Sequence, residues 1–301
     1  MGTAHEVDDH EVSKKNIFSQ KKNDTSEIVS KLRAQFLNKG LEIYPFKVGW
    51  YNDEVEELFH FNFDPDTLAV LVVSTPDMFE RALVPFMCSD DCTGTLDLLD
   101  KCMKHNFSLV RRIFPDEDIE IMHDFEMTPS RRPKVLVQPA AHVAGAAYYY
   151  TARSLAPNPF KQKIFGVCIH PVYGGWFALR GVFIFKSVRA ADLPRIDPVD
   201  CVPEQEKRVE LLDLFNNYWK DNRYRDIISV EKKYSEDQKR YFSTLPKDRG
   251  PLIKELIQKY KGINSEEQMQ KKEMLTNNNS IKLCNSESNS QPDYGFHKEF
   301  Y

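Results

Sequence analysis

Hydrophobic residues follow two periods that alternate along the chain from about residue 26 onward. Apolar residues recur at helical spacing in 26–40, 76–86, 95–114 and 203–219. Runs rich in Val, Ile, Phe and Tyr predict strands in 67–75, 119–127, 134–151, 163–171 and 174–185. Residues 41–51 predict an extended segment that Pro45 interrupts. The pattern predicts an α+β fold in which helices pack on a largely antiparallel sheet.

The two ends of the chain lack an apolar period. Residues 1–25 are polar, and residues 263–301 are rich in Ser, Asn and Gln, so burial would not offset the entropy cost of ordering them. We expect a flexible N-terminal arm, one domain over 26–262 and a disordered polar tail. Ser26 is the expected N-cap of the first helix and Gly40 its C-terminal stop.

Composition limits the classes of ligand. The formal net charge is −4, and basic residues are interleaved with acidic ones, so the chain has no basic footprint for nucleic acid. The apolar run Leu68–Val73 is far shorter than the roughly 18 residues that span a bilayer, and the polar, acidic N-terminus does not resemble a signal peptide. The six cysteines are scattered and are expected to be reduced. We expect a cytoplasmic protein that binds small molecules, with no membrane partner.

Glycines and aromatic residues concentrate between Pro133 and Gly181. Five of the twelve glycines lie there, at positions 145, 166, 174, 175 and 181, beside Tyr148, Tyr149, Tyr150, Tyr173, Trp176 and Phe177. Glycine permits a ligand to approach the backbone closely, and aromatic rings suit a broad, flat ligand. An ordinary sheet with hairpin turns, one of them at Gly174-Gly175, accounts for the same pattern equally well.

Other chemical motifs are weak. Cys88, Cys92, Cys102 and His105 offer three thiols and an imidazole, but their spacing does not match paired zinc knuckles. The chain has no P-loop, dinucleotide-binding, zinc-protease or hydrolase-elbow motif. The Arg131-Arg132 pair before Pro133 is expected to be a solvated turn or a contact for a ligand phosphate.

Several motifs resemble those of the CblC family. They are SRRPK (130–134), QPAAHVAGAAYYY (138–150), GVCIHP (166–171), GGWFALRG (174–181), RYRD (223–226) and YSEDQKRYFSTLP (234–246). The resemblance extends from about Gly40 to Arg249 in consistent order. This family is affected in methylmalonic aciduria with homocystinuria type C and processes vitamin B12 in the cytosol.

The resemblance implies a fold and two reactions. The fold would be similar to that of flavin-dependent nitroreductases. Cyanocobalamin would lose cyanide by reduction with electrons from a reduced flavin, FMN or FAD, and alkylcobalamins would lose the alkyl group to glutathione. The thiolate attacks the cobalt-bound carbon, so the protein must orient the two atoms and keep the thiol ionised.

The resemblance also assigns site residues. For cobalamin these are Asp124, Val135, Leu136, Val137, Gln138, Tyr149, Tyr150, Thr151, Cys168 and Leu179; Thr151 departs from the glutamine expected there. Cys168 lies in an apolar strand and is expected to be an inert pocket wall rather than a nucleophile. The carboxylates of glutathione would bind Arg180, Arg225 and Arg249. Arg180 lies inside a hydrophobic strand, where it needs an anion: either this ligand or a structural partner such as Asp226.

His142 belongs to a run that differs from the Asp-x-His-x-x-Gly motif of many B12 enzymes. The run here has His142 and Gly145, but Ala140 occupies the aspartate position. Without an aspartate the imidazole lacks its orienting partner. We therefore expect cobalamin bound base-off, with no protein ligand to cobalt, and His142 hydrogen-bonded to the displaced benzimidazole tail or to pocket backbone.

Two other functions remain open. The chain can be a non-catalytic cobalamin carrier that delivers B12 to downstream enzymes, or a nitroreductase-like flavin enzyme without a corrinoid. The three arginines favour the enzyme over the carrier, because a carrier does not need to hold glutathione. Protein partners in B12 delivery, a CblD-type protein and methionine synthase, and a homodimer are further expectations.

Overall fold

The computed structural model describes residues 24–89 and 97–262. The predicted arm and tail, and Cys92, lie outside these residues apart from Asp24 and Thr25. The strands are β1 (Leu41–Lys47), β2 (Thr67–Ser74), β3 (Ile119–His123), β4 (Tyr148–Tyr150), β5 (Val167–Ile169) and β6 (Ala178–Arg189). Within the described ranges, no helix is long and apolar enough to cross a membrane.

The helices are α1 (Thr25–Leu37), α2 (Val48–Asn52), α3 (Val84–Cys88), α4 (Leu98–Ile113), α5 (Val137–Val143), α6 (Gln205–Asn217) and α7 (Glu236–Ser243). A π-helical turn, Phe79–Leu83, leads into α3, and residues 249–262 form a further helix, α8. Short 3-10 turns are Glu57–Phe59, Ala152–Ser154, Trp219–Asp221, Arg223–Asp226 and Pro246–Asp248.

The main sheet has the order β1-β2-β6-β3 with antiparallel neighbours, and β4 pairs with β5 in a separate antiparallel ribbon. Side chains of β2 alternate between two faces. Leu68, Val70 and Val72 join a first core with α1 and α4, and Ala69, Leu71 and Val73 join a second core with α2 and α5. A third core lies between the ribbon and α6. The predicted α+β architecture with a largely antiparallel sheet is confirmed.

Residues 134–151 were predicted as one strand, and this prediction is wrong. They contain α5, and only Tyr148–Tyr150 are strand. Pro139 lies in the first turn of α5, where its missing N–H costs no hydrogen bond, and the alanines that follow favour helix. The Tyr51 hydroxyl accepts the Leu136 N–H at 3.0 Å just before this helix. This tertiary contact helps to fix where the helix begins.

Smaller differences concern the ends of elements. The extended segment 41–51 ends at Lys47, after which α2 begins. The N-cap of α1 is Asp24 rather than Ser26, whose hydroxyl donates instead to the Asp24 carboxylate at 2.6 Å. Gly40 follows α1 with φ +64°, a conformation that favours glycine and agrees with its predicted place after the helix.

Candidate functional site

A β-bulge places Arg180. In the pairing of β2 with β6, Val72 faces Gly181 and Val73 faces Leu179, so Arg180 is the extra residue between them. Gly181 has φ +144°, and a Cβ there would collide with the Met122 carbonyl oxygen of β3. This bulge therefore requires glycine beside the arginine, and it redirects the side chain of Arg180 near the start of β6.

The Arg180 side chain is only 7% exposed. Its Nε donates to the Ser74 hydroxyl at 2.8 Å, and no carboxylate within 24–89 and 97–262 lies within 4.0 Å of the guanidinium. Asp226, the partner considered from the sequence, instead accepts from Trp176 Nε1 and pairs with Lys233. The guanidinium thus keeps hydrogen-bonding capacity for an anion, in a position where water cannot fully solvate it.

The carboxylates of Asp124 and Asp100 interact electrostatically with Arg180, although neither forms an ion pair with it. The Asp124 N–H donates to the Arg180 carbonyl at 3.2 Å. Burial raises the pKa of Asp124 to about 6; the Arg180 charge opposes this and the Asp100 charge adds to it. Burial, followed by the Asp97 charge, also raises the pKa of Asp100, against the charges of Arg180 and Arg249. We call Asp100, Asp124, Arg180 and Arg249 the charged cluster.

The other two predicted arginines have structural partners. Arg225 donates to the Gly175 carbonyl through Nη1 and to Asn222 Oδ1 at 3.1 Å, and its guanidinium lies over the rings of Trp176, Tyr224 and Tyr234. Arg249 Nε donates to the carbonyls of Tyr241 (3.1 Å) and Thr244 (3.0 Å). The structure thus brings Arg249 to the charged cluster with Arg180 and leaves Arg225 at the turn that contains Gly175.

Glycine is required at this turn. A Cβ on Gly174 would lie 2.6 Å from the Arg225 carbonyl oxygen, and one on Gly175 would lie 2.7 Å from the Arg225 Cα. Gly175 N–H in turn donates to the Arg225 carbonyl at 3.0 Å. The Gly174-Gly175 pair, which the sequence also allowed as a simple hairpin turn, therefore permits the close approach of the arginine segment 223–226.

Most of the predicted corrin residues lie together on the second core. Val135 and Cys168 are buried members of it, and Leu136, Val137, Tyr149 and Leu179 pack against it while remaining partly exposed. We call this set of six the apolar wall. Leu179 precedes Arg180 directly, so the apolar wall adjoins the charged cluster along β6.

The surroundings of Cys168 and His142 determine the protonation of their side chains. Burial raises the pKa of the Cys168 thiol far above its usual range, and its sulfur lies 3.8 Å from the Gln138 carbonyl. The thiol is therefore protonated at neutral pH and a poor nucleophile. His142 Nδ1 accepts the Tyr149 N–H at 3.2 Å, and burial lowers its pKa. The neutral ring thus carries its hydrogen on Nε2.

Tyr150 and Thr151 occupy other surroundings. Tyr150 is fully buried in the third core; its hydroxyl donates to Asp200 at 2.8 Å and accepts the Val202 N–H at 2.8 Å. Its side chain faces away from the apolar wall, so a corrin contact at this position is left to the backbone. The Thr151 carbonyl accepts bonds from Ser154.

One polar network was missed by the sequence reasoning. The Glu42 carboxylate accepts the hydroxyls of Tyr44 (2.7 Å) and Tyr173 (2.6 Å), and Tyr44 also bonds His170 Nε2 at 2.9 Å. Burial lowers the pKa of His170 to about 4, so its 4.0 Å contact with Glu42 is not an ion pair at neutral pH. Glu42 and Tyr173 are distant in sequence, and no local pattern indicates their contact.

A large cavity lies beside β1 and α1. Its volume is about 1020 Å³, and its lining includes Arg33, Glu42, Tyr44, Gly145 and Arg189. None of the residues predicted from the sequence as ligand contacts is in the lining. In the described part of the chain, no group of three or more His, Cys, Asp and Glu side chains is arranged to hold a metal ion.

The model of the methylmalonic aciduria and homocystinuria type C family matches residues 40–253. The chain belongs to this family. The predicted resemblance is therefore confirmed, and the matched range contains every predicted site residue.

Curated relatives and a solved structure agree with this family. The chain is 52% identical over 215 residues to a Gallus gallus protein named cyanocobalamin reductase / alkylcobalamin dealkylase, covering 71% of this chain and 90% of the relative. It is 46% identical over 229 residues to a Homo sapiens protein of the same name, covering 76% and 81%. The crystal structure of a Caenorhabditis elegans B12-trafficking protein CblC matches with a TM-score of 0.70 at 29% identity, covering 77% of this chain and 96% of that chain.

Proposed function

We propose that this chain processes cobalamin as a cyanocobalamin reductase and alkylcobalamin dealkylase. Relatives that carry both activities in their names are 45–52% identical over most of their length. The observation that carries the proposal for this chain is the junction of the apolar wall with the charged cluster along β6. A flat corrin can lie on the wall while an anionic cosubstrate binds next to it.

In the dealkylation, glutathione supplies the nucleophile. Its carboxylates bind arginines, and Arg180 is the best placed, because its buried guanidinium is held through Nε by Ser74 and has no carboxylate partner among the described residues. The glutathione thiol loses its proton to solvent, and the thiolate sulfur bonds to the alkyl carbon. The Co–C electron pair remains on cobalt, which leaves as Co(I). Arg225 and Arg249 complete the proposed glutathione site.

Cobalamin is bound base-off in this proposal, with no histidine on cobalt. Because His142 Nδ1 accepts a backbone N–H, Nε2 carries the hydrogen and is a donor rather than a metal ligand. The Ala140 side chain has no acceptor atom that could hold the ring in the other tautomer. The His142 Nε2–H is then available to the displaced nucleotide tail. The corrin amides are expected to bond Asp124, Gln138 and the backbone of 135–138 and 149–151.

Decyanation needs electrons, and a reduced flavin, FMN or FAD, supplies two of them when it is bound. The large cavity beside β1 exceeds the roughly 300–1000 Å³ typical of small-molecule sites, so a flavin fits by volume. Arg189 is paired with Asp64, whereas Arg33 forms no ion pair within the described ranges and is suited to a flavin phosphate. A nitroreductase-like fold, a cytoplasmic location, a homodimer, and delivery to a CblD-type protein and methionine synthase remain part of the proposal.

Substitution of Arg180 tests the proposed reaction. In Arg180→Ala we expect kcat/KM for glutathione in methylcobalamin dealkylation to fall about 10- to 100-fold, since a charge-assisted hydrogen bond contributes about 1.5–3 kcal/mol. The dissociation constant of methylcobalamin should stay within about twofold. Arg223→Ala is the matched control, because this exposed arginine pairs with the nearby Asp221 and lies over the exposed ring of Tyr218.

Two results would contradict the proposal. If Arg180→Ala loses cobalamin binding and glutathione use together, the assignment of Arg180 to glutathione is wrong. If the unaltered chain binds methylcobalamin but glutathione never removes the methyl group, the chain is a carrier rather than an enzyme.

A further inference from the structure

A second, small cavity lies on the opposite side of the first core from the apolar wall. Its volume is about 210 Å³, and its polar lining residues are Lys39, Arg81, Ser89, His105 and Asn106. None of these residues belongs to the apolar wall or the charged cluster. Since one water takes up roughly 30 Å³ of the liquid, the cavity has room for a tetrahedral oxyanion and a few waters but not for a corrinoid or a tripeptide.

The lysine of this cavity is held in place by a buried amide. Asn106 is only 3% exposed, and its Nδ2 donates to the Cys102 carbonyl at 2.8 Å, which orients Oδ1 toward Lys39. Lys39 Nζ donates to this Oδ1 at 2.6 Å. An ammonium has three hydrogens, and Asn106 takes one of them, so two donors of Lys39 have no acceptor among the described residues.

The charges around the cavity are unbalanced. Lys39 and Arg81 line it, and no acidic residue within 24–89 and 97–262 does. Burial lowers the pKa of Lys39; Cys102 opposes this shift, and the charge of nearby Arg112 adds to it. The Asp77 carboxylate, 3.3 Å from Arg81, also binds Lys232 at 2.5 Å, so it does not neutralise Arg81 alone.

We propose that this cavity binds a phosphate-sized oxyanion, either inorganic phosphate or the phosphate group of a small metabolite. Lys39 and the Arg81 guanidinium, both in the lining, supply charged hydrogen-bond donors. The His105 ring, packed on Phe86, adds a ring nitrogen that can donate a hydrogen bond. An anion there relieves the repulsion among the cations, so its binding stabilises the folded state. This inference is independent of cobalamin.

The test is the melting temperature of the full chain in sodium phosphate, against sodium chloride of the same ionic strength and pH. With a dissociation constant near 1 mM, 10 mM phosphate should raise Tm by about 3 °C. Arg81→Ala and Lys39→Met should abolish the rise, and Lys31→Ala should keep it, because Lys31 is an exposed α1 lysine that pairs with Glu27. Arg81 is itself largely exposed, so its variant is expected to fold.

Other outcomes separate the sources of the anion or overturn the proposal. A larger rise with adenosine monophosphate than with equimolar phosphate supports an organic phosphate, and an equal or smaller one supports the free ion. No rise in phosphate, or an equal rise in Lys31→Ala and Arg81→Ala, overturns the site. A rise that appears only when Asp90 and Asp91, which lie outside the described residues, are both changed to Asn also overturns it. In that case the carboxylates of the unaltered chain prevent phosphate from binding.

Discussion

Asp124→Asn is expected to stabilise the protein at neutral pH. Burial raises the pKa of Asp124 from 3.8 to about 6 in the folded state. Each unit of pKa corresponds to about 1.4 kcal/mol, so ionisation of this carboxylate opposes folding by up to about 3 kcal/mol at neutral pH. Because the side chain is partly exposed, we expect about 1–3 kcal/mol. Such a cost is typical of a residue kept for a ligand.

The pH dependence of this stabilisation follows from the direction of the Asp124 pKa shift. The folded state prefers the protonated acid, so the stability that this group contributes is complete below about pH 3.8 and is lost as pH rises through about 6. Asparagine removes that loss. The free energy of unfolding in urea, measured for both proteins from about pH 3.5 to about pH 8, should therefore differ little at the acid end and should favour Asp124→Asn increasingly up to about pH 7.

Asp237→Asn is the matched control with the opposite sign. Burial pulls the pKa of Asp237 upward, but the bonds from Lys259 and Tyr260 outweigh it and hold the pKa below its usual value. Asp237→Asn should thus destabilise at pH 7, and the loss should persist down to about pH 3.8 and shrink only below it. Our account of Asp124 is refuted if Asp124→Asn destabilises at pH 7.5 or if its effect does not change with pH.

Three further substitutions or labels test individual contacts. Gly181→Ala should lower the free energy of unfolding by about 3 kcal/mol or more, because its Cβ would collide with the backbone of β3. Gly250→Ala, in open space on α8, should change this free energy by less than about 1 kcal/mol. Equal losses of the two variants in urea unfolding would contradict the bulge. Tyr150→Phe should cost about 1–3 kcal/mol by removing the hydroxyl that donates to the Asp200 carboxylate, while the Val202 N–H keeps Asp200 Oδ1 as an acceptor at 3.2 Å, and cobalamin affinity should not change; a weakened affinity would place its hydroxyl at the ligand. Cys168 should react with iodoacetamide at pH 7.5 far more slowly in the folded than in the urea-unfolded chain, as followed by mass spectrometry; rapid labelling when folded would contradict its raised pKa.

Strand and helix periods predicted most of the architecture because the core faces are regular. Helices α4 and α6 each bury one face, and β2 buries both of its faces. The spacing of apolar residues indicates these faces directly. In 134–151 the valines before Pro139 and the three tyrosines at the end both favoured strand. The alanines between them are compatible with helix or strand, and tertiary packing decides for the helix.

The site was predicted only in part, because its geometry depends on register. The sequence places Arg180 in an apolar strand, but the bulge that turns its side chain exists only when β2 and β6 are aligned. Of three consecutive tyrosines, the sequence does not indicate that Tyr149 lies on the apolar wall while Tyr150 is buried in the third core. The charged cluster combines α4, the end of β3, β6 and the start of α8, which are distant along the chain.

The visible spectrum of methylcobalamin tests the central claim most directly. Purified protein is mixed anaerobically with methylcobalamin, and glutathione is then added. We predict a shift to the base-off spectrum on binding, in the unaltered chain and in Arg180→Ala. Loss of the methyl species and appearance of Co(I) should follow only after glutathione is added, and should be much slower in Arg180→Ala. No spectral change when protein and methylcobalamin are mixed would contradict the account.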